Sequence, residues 1–103
     1  MARWRVGEWV VDGSDGTVAS SDRVVRLEPR VMAVLLALVE RRGTVVPQEV
    51  LLTIVWAGTH LAPGTLARPV SVIRTALGYD SRQARYVETV PKRGYRLIAP
   101  VEE

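Results

Sequence analysis

The sequence predicts an α+β fold in which a small antiparallel sheet is followed by three helices and a closing β-hairpin. Three observations carry this reading. Before residue 28 the β-prone residues come in short runs separated by Gly, Asp and Ser, the punctuation of a meander of short strands. Between residues 29 and 77 apolar residues recur at helical spacing, with Pro and Gly standing where helices open and close. After residue 85 two strand-like stretches flank Pro91-Lys92-Arg93-Gly94, a turn composition. With 103 residues, one domain is expected.

Taken in order, residues 4–6, 8–12, 17–20 and 23–27 form four strands of an N-terminal sheet within residues 3–27, broken at Gly7, at Asp12-Gly13-Ser14-Asp15-Gly16 and at Ser20-Ser21-Asp22. Pro29 opens a first helix of about 29–42, because the first helical position needs no N–H. Its run Val31 to Val39 is apolar nearly all round, and Glu40-Arg41-Arg42-Gly43 ends it, so the helix is central. After a short extended link, Pro47 is predicted to open a second helix of about 47–56 with Val50, Leu51, Ile54 and Val55 on its buried side.

The third helix, about 66–77, has the clearest pattern. Leu66, Val70, Ile73 and Leu77 fall on one stripe at about 100° per residue. Opposite them lie Arg68, Ser71 and Thr75, with Val72 beside and Arg74 on the flank, a face without an acid. Pro69 lacks the N–H that a helix interior needs, so the helix is expected to start late, with Arg68 near the N-cap and Pro69 in the first turn. Gly78 ends it, a polar connection follows, and residues 86–98 make a hairpin with a cationic tip.

Charge is unevenly placed. The chain carries 14 basic and 11 acidic residues, a net +3. Residues 1–30 and 31–66 are each balanced, whereas from Arg68 to Arg96 seven basic residues face only Asp80 and Glu88, a local +5. A basic segment on a neutral body suits contact with a polyanion. Three helices and a basic hairpin, the last helix presenting an acid-free face after a helix-loop-helix, make the layout of a winged helix-turn-helix. In that layout the last helix enters the major groove and the hairpin reaches backbone or minor groove.

Other chemistries find little support. The chain has no cysteine, which excludes disulfides, thiolate metal sites and cysteine nucleophiles. His60 is the only histidine and stands without clustered ligands, so no metal, cofactor or catalytic residue is assigned. Asp12 and Asp15 lack the later ligands of a calcium loop and are assigned to a turn. The longest apolar run, nine residues from Val31 to Val39, is far below the roughly 20 of a membrane span, and no membrane contact is expected. No secretory signal is seen at the N-terminus. The chain is expected to be cytoplasmic and to be the effector portion of a longer regulator, tethered to a membrane or not, in preference to a stand-alone binder.

Val45-Val46, Val50-Leu51-Leu52, Val55-Trp56, Leu77-Gly78 and above all the stretch Tyr86-Val87-Glu88-Thr89-Val90-Pro91-Lys92-Arg93-Gly94-Tyr95-Arg96-Leu97 resemble the OmpR/PhoB-type winged-helix effector domains, and most of all the CadC/ToxR-like branch. The resemblance covers the chain from the Trp4 strand to Pro100. It implies a four-stranded N-terminal sheet on three helices with a C-terminal wing, and binding to double-stranded promoter DNA, as tandem or two-fold-related copies. It also implies an RNA polymerase contact through the loop that opens at Ala57 and closes at Gly64.

Carried over position by position, it places Thr65, Arg68, Ser71, Val72, Arg74 and Thr75 on the recognition helix, and Thr89, Lys92, Arg93 and Tyr95 on the wing. Arg68, in mid-face, is expected on a guanine O6/N7 pair and Arg74 on a phosphate. Thr65 is expected on a phosphate with free helix N–H groups, and Val72 on a thymine methyl. Lys92 and Arg93 are expected on phosphate or minor groove, with Thr89 and the Tyr95 hydroxyl on the backbone. Relatives usually carry basic residues where Ser71, Val72 or Thr75 stands here. That depleted face motivates a second expectation, a winged helix serving mainly as a protein-interaction module with weak or partner-dependent DNA binding. Glu28 stands where a capping threonine is common and Pro47 where a capping serine is.

Overall fold

A computed structural model describes residues 3–56, 64–78 and 86–102. The polymerase-contact expectation for residues 57–63, His60, and the cations Arg82 and Arg85 lie outside the described residues.

Strands β1 (Arg3–Val6), β2 (Trp9–Asp12), β3 (Thr17–Ala19) and β4 (Val24–Arg26) form the expected meander. Its turns are made by the residues that interrupt the strands. The Asp12 carboxylate accepts the N–H groups of Ser14 and Asp15, both at 3.0 Å, folding the chain back as an Asx turn, and the Ser20 N–H donates to the Arg23 carbonyl at 2.8 Å. Val6, Trp9, Val11 and Val18 are buried. A fifth strand, β8 (Val101–Glu102), pairs with β1, giving the order β4-β3-β2-β1-β8. The acidic tail therefore closes the sheet.

Helix α1 (Pro29–Glu40) has Pro29 at its start and buries Val31, Val34, Leu35 and Leu38. It ends two residues before the predicted boundary, where the Arg41 and Arg42 N–H groups turn to the carbonyls three residues back, Leu38 (3.2 Å) and Val39 (3.3 Å), ahead of Gly43 at φ 79°. The guanidinium groups of Arg41 and Arg42 also reach the carbonyls of Ala37 and Val39, both at 3.4 Å. Its N-cap, Glu28, makes no side-chain capping bond.

Pro47 does not open the second helix. It belongs to a two-residue strand, β5 (Val46–Pro47), opposite Gly94, and α2 (Gln48–Trp56) begins after it. A proline is tolerated there because an edge strand can spare an N–H. The buried side of α2 also differs from expectation: Leu51 and Trp56 are buried, whereas Val50 and Ile54 are 38% and 42% exposed.

Helix α3 (Ala67–Ala76) places Leu66, Val70, Ile73 and Leu77 in the core as the 4-3-4 spacing requires. The hairpin of β6 (Val87–Val90) and β7 (Gly94–Leu97) becomes a three-stranded sheet, β5-β7-β6. Gly94 is essential to that sheet. A Cβ there would stand 2.0 Å from the Val46 carbonyl oxygen, so only glycine lets β5 and β7 approach. At the base of the wing the buried Tyr86 ring lies against Gly7, where a Cβ would come within 2.9 Å of Tyr86 Cε1. This seats the wing on the N-terminal sheet.

Candidate nucleic-acid interface

The outward face of α3 carries Arg68, Ser71 and Thr75, all exposed, with the Arg68 side chain 81% accessible. Arg68 occupies the second helical position rather than the N-cap, since the helix starts at Ala67 after Leu66. Pro69 lies in the first turn as expected. The first intrahelical bond runs from the Val70 N–H to the Leu66 carbonyl at 3.1 Å, so the missing proline N–H removes nothing. Thr65, half-buried, borders a groove of about 490 Å³ with Glu28, Arg30, Trp56, Arg68 and Pro69. Trp56 belongs to the core, and the Arg30 guanidinium sits 5.7 Å from its ring centroid. Glu28 Oε1 stands 3.9 Å from Arg68 Nη2, a loose pair between two exposed groups.

The two flanks of α3 face different elements. Val72 is half-buried against the core and borders a groove of about 290 Å³ with Val25, Ser71, Thr75 and Arg23. On the other flank the Arg74 guanidinium donates to the Val87 carbonyl through Nε (3.2 Å) and Nη2 (3.0 Å), and Nη2 also reaches Thr89 Oγ1 at 2.7 Å. The expected phosphate ligand is thus engaged with the wing. The cause is topological: β6 is an edge strand, its outer carbonyls need donors, and Arg74 lies alongside. Arg74 locks the orientation of the wing relative to α3.

Pro91, Lys92 and Arg93 are exposed at the wing tip. Lys92 has φ 66°, and the Arg93 N–H closes the turn on the Val90 carbonyl at 3.0 Å. Thr89 is exposed, but its hydroxyl already accepts from Arg74. Tyr95 is 9% exposed and part of the core. Its position on the central strand β7, between Val46 and Thr89, turns the ring inward. Arg96 pairs with Glu88 directly across β6 and β7.

The fold therefore gathers Arg68, Lys92 and Arg93 on the accessible surface, withdraws Arg74 and Arg96 into internal pairs, and adds cations that segment counting missed. Arg23 and Arg30 come from the balanced first thirty residues and flank α3 and the start of α1. Nothing in their local sequence marks them. Only the packing of β4 and α1 beside α3 brings them there.

The chain matches the family "Transcriptional regulatory protein, C terminal" over residues 22–97. It is 34% identical over 98 residues to the transcriptional activator CadC of Escherichia coli (strain K12), covering 94% of this chain and 19% of that protein. It is also 34% identical over 87 residues to the transcriptional regulator HilA of Salmonella typhimurium, covering 84% of this chain and 16% of that one. The chain thus spans about a fifth or less of the length of these relatives. Its fold is similar to the solved DNA-binding domain of E. coli CadC, with a TM-score of 0.87, 32% identity, and coverage of 99% and 96% of the two chains. A sheet, three helices and a wing in this order, with the family match over three quarters of the length, establish that the chain belongs to the OmpR/PhoB-type family of transcriptional regulator C-terminal domains.

Proposed function

We propose that this domain binds double-stranded promoter DNA as the effector part of a transcriptional regulator, with α3 in the major groove and the wing on the backbone or minor groove. The observation that carries the proposal is the coupling of an acid-free α3 face to a cationic wing tip through the bonds of Arg74 to Val87 and Thr89. Two cationic elements are thereby held in fixed relative geometry, as a polyanionic duplex requires. The likeness to the CadC DNA-binding domain supports the same reading.

Within it, Arg68 reads a guanine O6/N7 pair from mid-face. Ser71 and Thr75 make short-range polar contacts, Val72 offers only an apolar edge, and Thr65, at the entry to α3, holds a phosphate. Lys92 and Arg93 take phosphate or minor groove. Arg74, Thr89 and Tyr95 position the wing, Arg74 and Thr89 through their mutual hydrogen bond and Tyr95 by packing.

The test is a selection of bound duplexes from a random pool, followed by a salt titration of the winning sequence. Log affinity should fall steeply with log salt, at about 0.9 per phosphate neutralised. Arg68→Ala should cost about 1–3 kcal/mol and relax preference at one base pair, whereas Lys92→Ala should weaken all sequences alike. A salt-flat profile would shift weight to the second reading, a protein-interaction module, which the exposed Val50 and Ile54 one turn apart on α2 favour.

A further inference from the structure

We propose that Arg23, just before β4, is a second backbone clamp that contacts a phosphate on the side of α3 opposite the wing. This rests on the DNA-binding reading above and extends it to a strand to which no role has been given.

The placement follows from helix and strand geometry. At about 100° per residue Val72 and Arg74 are roughly 160° apart across the exposed side of α3. Arg74 marks the wing flank, through its bonds to Val87 and Thr89. Val72 marks the other, where it shares a groove of about 290 Å³ with Val25, Arg23, Ser71 and Thr75. Val25 and Val72 are half-buried against the core and make its apolar floor. Arg23 is two residues from Val25, hence on the same side of the strand. Its carbonyl is tied to the Ser20 N–H at 2.8 Å, which fixes where its side chain leaves the backbone.

Arg26 borders the same groove but is tethered. Its Nη1 donates to the Asp15 carbonyl at 3.1 Å, which holds its guanidinium toward the β2–β3 turn. Among the described residues Arg23 takes part in none of the ion pairs. It stands exposed beside the short side chains of Ser71 and Thr75. A major groove about 12 Å wide has phosphates along both rims. A helix seated in it meets one rim at the wing tip and the other at Arg23. Short residues at 71 and 75 let the helix sit deep enough for the strand to reach that rim.

The experiment measures binding of a labelled duplex, recovered by selection from a random pool, by fluorescence anisotropy between 50 and 200 mM salt. It compares the wild-type domain with R23A, R23K, R26A and K92A. The slope of log affinity against log salt should flatten by about 0.9 for R23A, a roughly fivefold loss near 0.15 M salt. R23K should restore the slope, R26A should keep the wild-type slope, and the selected sequence should be the same for R23A as for wild type. Melting temperatures confirm that each variant is folded. An unchanged slope for R23A, alongside a flattened slope for K92A, overturns the clamp and leaves the DNA reading standing. Equal losses for R23A and R26A overturn it as well, because they would report bulk charge rather than a contact. A wild-type domain that selects no duplex, or binds without salt dependence, overturns both.

Discussion

Substituting the wing-tip lysine should raise stability and lower DNA affinity at once. Lys92 adopts φ 66° at the third position of a turn whose second residue is Pro91, closed by the Arg93 N–H on the Val90 carbonyl at 3.0 Å. Proline fixes a negative φ at the second position, so the turn is type II, the kind that favours glycine or asparagine at the third. A lysine in the left-handed region costs about 1–2 kcal/mol. Lys92→Gly removes that cost but gives the unfolded chain more freedom, worth about 0.4–1 kcal/mol in the other direction. The net is a stabilisation of about 0.5–1 kcal/mol, which for a domain of this size raises Tm by roughly 2–8 °C. The same change deletes one phosphate contact and should flatten the salt slope by about 0.9. Circular dichroism melts and anisotropy titrations read the two effects separately, and Lys92→Asn, which tolerates the left-handed region without the charge, should behave alike. A lowered Tm in both variants would refute the strain reasoning. A raised Tm with unaltered slope would refute the placement of the tip on the backbone.

Arg74→Lys keeps the charge but cannot hold the Val87 carbonyl and Thr89 hydroxyl together. It should lower stability by about 1 kcal/mol in urea unfolding and weaken duplex binding without changing the salt slope; an altered slope would return Arg74 to the phosphate contacts. Gly94→Ala drives a Cβ to within 2.0 Å of the Val46 carbonyl and should cost about 3 kcal/mol or more, seen as a large drop in the urea midpoint. Glu28→Thr should supply the missing N-cap of α1, adding about 0.5–2 kcal/mol, and remove the carboxylate 3.9 Å from Arg68. A few-fold gain in duplex affinity is expected, and a loss would mean that Glu28 holds Arg68 in its binding orientation.

How much of this was legible in the sequence depended on whether a pattern had one solution. Helix α3 has a polar face and an apolar stripe, so its register was readable and Leu66, Val70, Ile73 and Leu77 are all buried. Helix α2, with Val50, Leu51, Leu52, Ile54 and Val55 nearly contiguous, has apolar residues on every side. Periodicity alone could not choose its buried face, and tertiary packing left Val50 and Ile54 outside. Strands β5 and β8, two residues each, are too short for any alternation to register and exist because β7 and β1 offer edges to pair with. Pro47 illustrates the ambiguity. The same residue that can open a helix can also end an edge strand, and Gly94 opposite it decided between them.

The candidate site was less legible than the fold, because charge is counted along the chain whereas binding sums it over a surface. The +5 of the C-terminal third overstated the recognition helix. Arg96 is neutralised across the hairpin by Glu88, and Arg74 serves the exposed edge of β6. Among the described residues, what remains accessible there is one cation on α3 and two at the wing tip, so the proposed complex would draw more on phosphate contact than on base readout. The balanced N-terminal third understated its share by the same logic. Its five acids and five arginines cancel only as a sum. Arg3 stands 3.8 Å from Asp12 and the Asp12 carboxylate is occupied by its own turn, while Arg23 is carried to the flank of α3. In the proposed complex, a surface built from residues 23, 68, 92 and 93 would spread its positive charge across both rims of one groove rather than along one helix. Sequence preference would then fall mainly on Arg68, the one long side chain at mid-face of α3.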